Sequence, residues 1–194
     1  ERSLLGQSWS VRPVELHVVD AIAQRTGLSE VIARVIAARG VPLDEVEEFL
    51  DPSLRNSLPD PSILKDMDAA AERLALAVMA GENITVFGDY DVDGATSSGV
   101  FIQYLRAIGA DASAYIPDRL SEGYGPNAQA LEKLAASGSQ LVVTVDCGIQ
   151  SYEALEAGAA AGLDILVVDH HKAEPELPKA VAIVNPNRLD DDSE

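Results

Sequence analysis

The chain has 194 residues, with 14 Lys and Arg against 32 Asp and Glu, a formal net charge of -18, 47% hydrophobic content and 5% aromatics. That length and aliphatic content fit one ordinary globular domain with a small appendage, and the acidic excess excludes a generally basic nucleic-acid surface, so any contact with nucleic acid must be local. Cys147 is the single cysteine, which excludes an intrachain disulfide and makes the cytoplasm the expected compartment; no apolar run nears the roughly 18 residues of a membrane span, and the N-terminus has no signal-peptide pattern.

From Val14 to about Arg39 the pattern predicts two helices, broken at Thr26-Gly27, with Ser29 placed to cap the second and Gly40 closing it. A third short helix is expected from Leu43 to Leu50, followed by an irregular connection marked by Asp51-Pro52 and Pro59-Asp60-Pro61. Residues 1–65 are therefore predicted to be a small helical region with its connection. His17, on the first helix, is assigned no role. From Asp66 the pattern changes. A helix from Asp66 to Ala80 ends at Gly81, and strands then alternate with helices. The strands expected are Ile84–Phe87, Ala112–Ile116, Leu141–Val145, Ile165–Val168 and Val181–Val184; the helices are Ala95–Ile108, Asn127–Ala136 and Ser151–Ala161. Short Val-, Ile- and Leu-rich runs separated by helices predict a doubly wound α/β domain with a mainly parallel sheet over residues 66–194.

Acids and imidazoles fall at the expected strand ends. Gly88-Asp89-Tyr90-Asp91-Val92-Asp93-Gly94 puts three carboxylates in the turn after the first strand, Asp146 follows Leu141–Val145, and Asp169-His170-His171 follows Ile165–Val168. In a parallel sheet those ends share one edge, where residues distant in sequence converge. Carboxylates packed this closely repel at neutral pH, and a divalent cation would neutralise them. The same letters open a calcium loop, D-x-D-x-D-G, but its twelfth position, where a bidentate Glu belongs, is Val100, and a strand precedes the loop where an EF-hand has a helix. The bland alternative is a solvated turn. Carboxylates mixed with imidazole suit Mn²⁺, Mg²⁺ or another first-row ion, and one cysteine cannot build a thiolate zinc site. Two ions about 3.5–4 Å apart, sharing a carboxylate, would activate water and clamp a phosphoryl group, so phosphoester hydrolysis is the economical reading.

Weaker features surround this set. Gly94 opens the next helix and offers N–H groups as an anion seat. Gly123-Tyr124-Gly125-Pro126-Asn127 either holds phosphate or simply connects two elements, and Arg119 and Lys172 either contact phosphate or stay solvated. Ser97 and Ser98 are expected to pack rather than attack, Cys147 to be buried, and Asp190-Asp191-Asp192 to be a solvated run.

The motifs Asp89-Tyr90-Asp91-Val92-Asp93-Gly94, Gly123-Tyr124-Gly125, Val145-Asp146-Cys147-Gly148 and Asp169-His170-His171 stand in the order of the DHH phosphoesterase superfamily, which the chain resembles from about Val41 to Arg188. Phe49-Leu50-Asp51-Pro52-Ser53-Leu54, Leu64-Lys65-Asp66-Met67-Asp68 and Val184-Asn185-Pro186 extend the resemblance to its RecJ-like branch of single-strand-specific 5′→3′ DNA exonucleases. The resemblance implies Asp89, Asp91, Asp93, Asp146 and His170 as ligands, or immediate partners, of two Mn²⁺ or Mg²⁺ ions, with Asp146 the bridge. Asp169 and His171 would orient ligands or face phosphate, and which imidazole binds metal stays open. It implies catalytic roles for Asp146, His170 and His171, and release of 5′-mononucleotides from single-stranded DNA in repair and recombination, with a single-strand-binding protein or helicase as partner; the substrate contacts expected beside them, from the residues themselves, are Gly94, Arg119, Gly123, Tyr124, Gly125 and Asn127. Family members carry a further ligand Asp beyond the Asp-His-His and a second substrate-binding domain, and the RecJ-like branch adds an OB-fold. The 194 residues are therefore expected to be an N-terminal fragment, inactive or weakly active alone. Competing readings are an oligoribonucleotide or cyclic-dinucleotide phosphodiesterase, a manganese pyrophosphatase, and a non-catalytic scaffold, whose usual mark, loss of motif acids, is not seen.

Overall fold

Helical periodicity places four helices before residue 60 in the computed structural model, which describes residue 3, residues 6–8 and residues 10–193. They are α1 (Leu16–Thr26), α2 (Glu30–Ala38), α3 (Val46–Leu50) and α4 (Leu54–Ser57). Gly27 ends α1 in the left-handed conformation expected of a glycine stop, and Ser29 holds the N-cap position of α2 without a side-chain capping bond. Val19, Ile22, Ala33, Ile36 and Val46 form the core of this unit, Glu1–Pro59. The one-turn helix α4 lies in the stretch whose sequence predicts an irregular connection.

The second unit spans Asp60–Glu194, so the division falls six residues before the 65/66 boundary drawn from sequence. The physical reason is local. Asp60 and Pro61 start a 3₁₀ turn over Pro61–Ile63, Leu64 packs against the core of the second unit, and the Lys65 N–H donates to Asp191 Oδ2 at 2.9 Å. Then come α5 (Met67–Ala80), β1 (Ile84–Gly88), α6 (Val92–Ala107), β2 (Ala112–Tyr115), α7 (Ala128–Ala136), β3 (Leu141–Val145), α8 (Tyr152–Ala160), β4 (Asp164–Val168) and β5 (Ala182–Val184).

The five strands form one all-parallel sheet in the order β2-β1-β3-β4-β5. Every residue of β1, β3 and β5 is buried, which is why these runs are almost continuously apolar instead of alternating. Alternate side chains serve opposite faces. Ile84, Val86, Leu141 and Val143 pack with Ala77 of α5 and Leu105 of α6, whereas Val142, Ile165 and Val167 pack with Leu131 of α7 and Leu155 of α8. The domain is therefore doubly wound, and the order reverses between β1 and β3, where such folds open a crevice beyond the strands' carboxyl ends.

Candidate metal centre

Strand register builds the site. Gly88 pairs with Val145, Val145 with Val168, and Val168 with Val184. One step beyond each pair stands a polar residue, giving a row of Asp89, Asp146, Asp169 and Asn185 across four neighbouring strands. All four are buried. The ladder continues into the row, with the Asp146 N–H donating to the Val168 carbonyl and the Asp169 N–H to the Val184 carbonyl, each at 3.0 Å. Asp146 takes a left-handed backbone, φ 61°, as it leaves β3, a conformation that Asp tolerates better than most side chains.

Carboxylate oxygens of Asp89, Asp91 and Asp146 lie within 4.8 Å of one another, and Asp146 offers a second such group with His170 and His171. Asp89 Oδ1 is buried and has no hydrogen-bond partner among the described residues. A buried acceptor without a donor is costly, and two donor groups that share Asp146, one of carboxylates and one with imidazoles, fit a hard or borderline divalent cation. Asp91 caps α6, its Oδ1 accepting from the N–H groups of Asp93 and Gly94 at 3.0 Å each. The Gly94 bond, foremost, holds the Asp91 carboxyl below the usual carboxylate range. Asp146 goes the other way: burial pushes its carboxyl up, the His170 hydrogen bond opposes this, and the nearby Asp91 charge adds to the rise.

The two histidines divide. His170 Nε2 lies 2.8 Å from Asp146 Oδ1. His171 Nδ1 lies 2.7 Å from Asp169 Oδ1, and that hydrogen bond is the main reason its pKa is raised. Asp169 also folds its own loop, accepting at Oδ1 from the N–H groups of His170 and His171 and at Oδ2 from that of Ile149. A cleft of about 590 Å³ opens beside the acids, and Asp93, Asp146, Asp169 and His170 line it together with Ser97, Val100, Phe101 and Val168.

The remaining expected site residues fall in several places. Asp93 lies in the first turn of α6, which begins at Val92 instead of Ala95, so Asp93 faces the cleft but is outside both ligand groups. The Gly94 N–H is engaged by Asp91 and offers no seat to an anion; a Cβ at Gly94 would meet the Asp89 N and O at 2.5 Å, so close approach of α6 to the end of β1 is what requires glycine there. Arg119 lies over the Tyr90 ring, 5.1 Å from its centroid. Gly123 and Gly125 are left-handed, and between them Tyr124 reaches the site, its hydroxyl donating to the Asp146 carbonyl at 3.3 Å with the ring edge-on to His171. Asn127 caps α7, accepting from the Ala130 N–H at 2.8 Å. Cys147 is fully buried. Asp190 and Asp191 are not merely solvated, since Asp190 pairs with Arg188 and Asp191 accepts from Lys65. Sequence reasoning gives no role to Asn185 or Asn187, although Val184-Asn185-Pro186 is conspicuous. Asn185 Nδ2 donates to the His171 carbonyl at 3.0 Å, and Asn187 Nδ2 donates to the His170 carbonyl.

Comparison with known proteins gives one family. Residues 83–194 match the DHH family, N-terminal domain. The single-stranded-DNA-specific exonuclease RecJ of Bacillus subtilis (strain 168) is 34% identical over 180 residues, covering 93% of this chain and 23% of that protein. The RecJ of Salmonella typhimurium is 38% identical over 164 residues, covering 84% and 28%. The crystal structure of RecJ in complex with Mn²⁺ from Thermus thermophilus superposes with a TM-score of 0.75 at 28% identity, covering 94% of this chain and 25% of that one. The chain thus spans about a quarter of the length of the curated relatives it matches.

Proposed function

The chain belongs to the DHH family, and on that premise we propose that the cleft beyond β1, β3 and β4 is the metal centre of a single-strand-specific DNA exonuclease. The observation that carries this reading is the convergence of the Asp89, Asp91 and Asp146 carboxylates, together with an Asp89 oxygen that is buried and has no hydrogen-bond donor among the described residues. Asp89, Asp91, Asp146 and His170 would hold Mn²⁺ or Mg²⁺, with Asp93 at the cleft wall and Asp146 as the bridge if two ions bind. Such ions supply a water-derived nucleophile at neutral pH and neutralise charge on the scissile phosphate.

The chain's own residues do the rest. Asp169 fixes His171 and favours its charged form, which suits it to face a phosphate oxygen. Tyr124 braces the Asp146 carbonyl, and Arg119 on the Tyr90 ring supplies a cation beside an otherwise acidic edge. The relatives named as single-stranded-DNA-specific exonucleases support this substrate over oligoribonucleotides, cyclic dinucleotides and pyrophosphate. Digestion from 5′ to 3′ with release of 5′-mononucleotides, a place in DNA repair and recombination, a cytoplasmic setting, and a single-strand-binding protein or helicase partner belong to the same proposal. A polypeptide limited to these 194 residues is expected to bind the ion but hydrolyse weakly, because its net charge of -18 repels a polyanion.

The test pairs wild type with Asp146→Asn, since Asn tolerates the left-handed backbone where Ala would add strain. Mn²⁺ binding by calorimetry should weaken by more than about 100-fold, with the melting temperature without metal held. Any hydrolysis should favour 5′-phosphorylated single strands over duplex, short RNA, cyclic dinucleotide or pyrophosphate, and should vanish in the variant. Equal Mn²⁺ binding by both proteins, or preference for one of the other substrates, would overturn the reading.

A further inference from the structure

The row of residues just past the strands has a fourth member that a metal centre does not use as a ligand. Asn185 stands one step beyond Val184 of β5, in line with Asp89, Asp146 and Asp169, and is completely buried. Its amide works in two directions. Oδ1 accepts from the Asn187 N–H at 2.7 Å, closing a tight turn across Pro186, and Nδ2 donates to the His171 carbonyl at 3.0 Å. That turn brings Asn187 to where its own Nδ2 donates to the His170 carbonyl.

From this geometry we infer that Asn185 and Asn187 are positioning residues for the histidine pair, a bracket that aims His170 at Asp146 and keeps His171 on Asp169. The inference rests on the metal-centre reading of the cleft. Both backbone N–H groups of His170 and His171 bind Asp169 Oδ1, and both carbonyls bind the two asparagines. All four main-chain polar groups of the pair are thus tied, and only the imidazoles are free to respond to a ligand. The rings need such a frame, since their side chains are 60% and 46% exposed and have little packing to orient them.

The bracket is itself held. The Arg188 N–H donates to the Asn185 carbonyl at 3.2 Å, and the buried Arg188 guanidinium binds Asp66 at 2.6 Å, the Ile183 carbonyl at 2.5 Å and both oxygens of Asp190 at 2.9 Å. A site's precision depends on supports whose own rotamers are locked. Asn is the residue type that meets the demand at 185: the position needs one acceptor and one donor on a short planar group, Asp would lack the donor, and Ser would lack the reach.

Mn²⁺ affinity of the metal-free chain, measured by calorimetry and by loss of the free-ion electron paramagnetic resonance signal, tests this for wild type, Asn187→Ala and Asn185→Ala. Asn187 is exposed, so Asn187→Ala should keep its metal-free melting temperature while its Mn²⁺ affinity falls about tenfold. Asn185→Ala should lose more affinity; if it fails to fold, Asn187→Ala decides alone. Wild-type affinity in Asn187→Ala, or an affinity loss matched by an equal loss of metal-free stability, would overturn the positioning role. Absence of Mn²⁺ binding by wild type would instead overturn the metal-centre reading, and the bracket's role with it.

Discussion

Gly94 and Gly99 lie in the same helix and should respond to alanine in opposite ways. By intrinsic propensity, either Gly→Ala change favours α6 by about 1 kcal/mol. At Gly99 nothing lies within 4 Å of the added Cβ, so that gain should appear in full. At Gly94 the Cβ would meet the Asp89 N and O at 2.5 Å and its carbonyl carbon at 2.7 Å, where ordinary contact begins at 3.4 Å. These are backbone atoms at the end of a central strand and cannot swing aside as a side chain would. Overpacking of this kind costs about 1–3 kcal/mol, and a backbone obstacle puts the cost at the upper end, so it exceeds the propensity gain and leaves a net loss of about 1–2 kcal/mol. The displaced group is Asp89, so Mn²⁺ affinity should fall in Gly94→Ala and stay at the wild-type value in Gly99→Ala. Urea unfolding with a common m-value, followed by Mn²⁺ titration, measures both quantities. Two variants stabilised alike, or a Gly94→Ala protein with unchanged Mn²⁺ affinity, would refute the close approach of α6 to Asp89.

Asp190 is held at about 2, chiefly by the Arg188 guanidinium, against an ordinary 3.8. A folded-state pKa below the unfolded one stabilises above the unfolded value and is lost as pH falls through the folded one; wild type should therefore exceed Asp190→Asn by about 1 kcal/mol at pH 7, the carboxylate being half exposed, and the gap should close between pH 3.8 and about 2 in thermal melts. Cys147 is fully buried, its thiol contacts the Phe87 and Val145 carbonyls, and burial pushes its pKa up. Alkylation should run at least about a thousandfold slower than in the unfolded chain and accelerate with denaturant, because the reactive state needs opening of the core; rapid labelling of the native protein would show the site is not closed.

The strands and the gathering of acids were legible because both depend on short-range pattern. A strand buried on both faces must be apolar throughout, and β1 and β3 differ from expectation by one residue at most. The common edge of Asp89, Asp146 and Asp169 followed from parallel topology alone. What sequence could not give depends on distances across the chain. Asp93 looked equivalent to Asp91, but Asp91 caps α6 and starts the helix at Val92, which turns Asp93 toward the cleft wall. Gly94 looked like an anion seat, and its N–H belongs to Asp91. Asn185 acquires its role only from the register of β4 with β5, which no local pattern encodes. Arg188 and Asp66, 122 residues apart in sequence, were likewise invisible as partners.

Whether the edge beyond β1, β3 and β4 is a metal centre is decided by anomalous diffraction at the manganese edge from crystals grown with Mn²⁺. A metal centre there should give a peak bounded by the carboxylates of Asp89, Asp91 and Asp146, with His170 Nε2 turned from Asp146 to the ion, and no peak in Asp146→Asn crystals. A manganese peak elsewhere on the chain, or none at saturating Mn²⁺ with Asp146 still paired to His170, would contradict it.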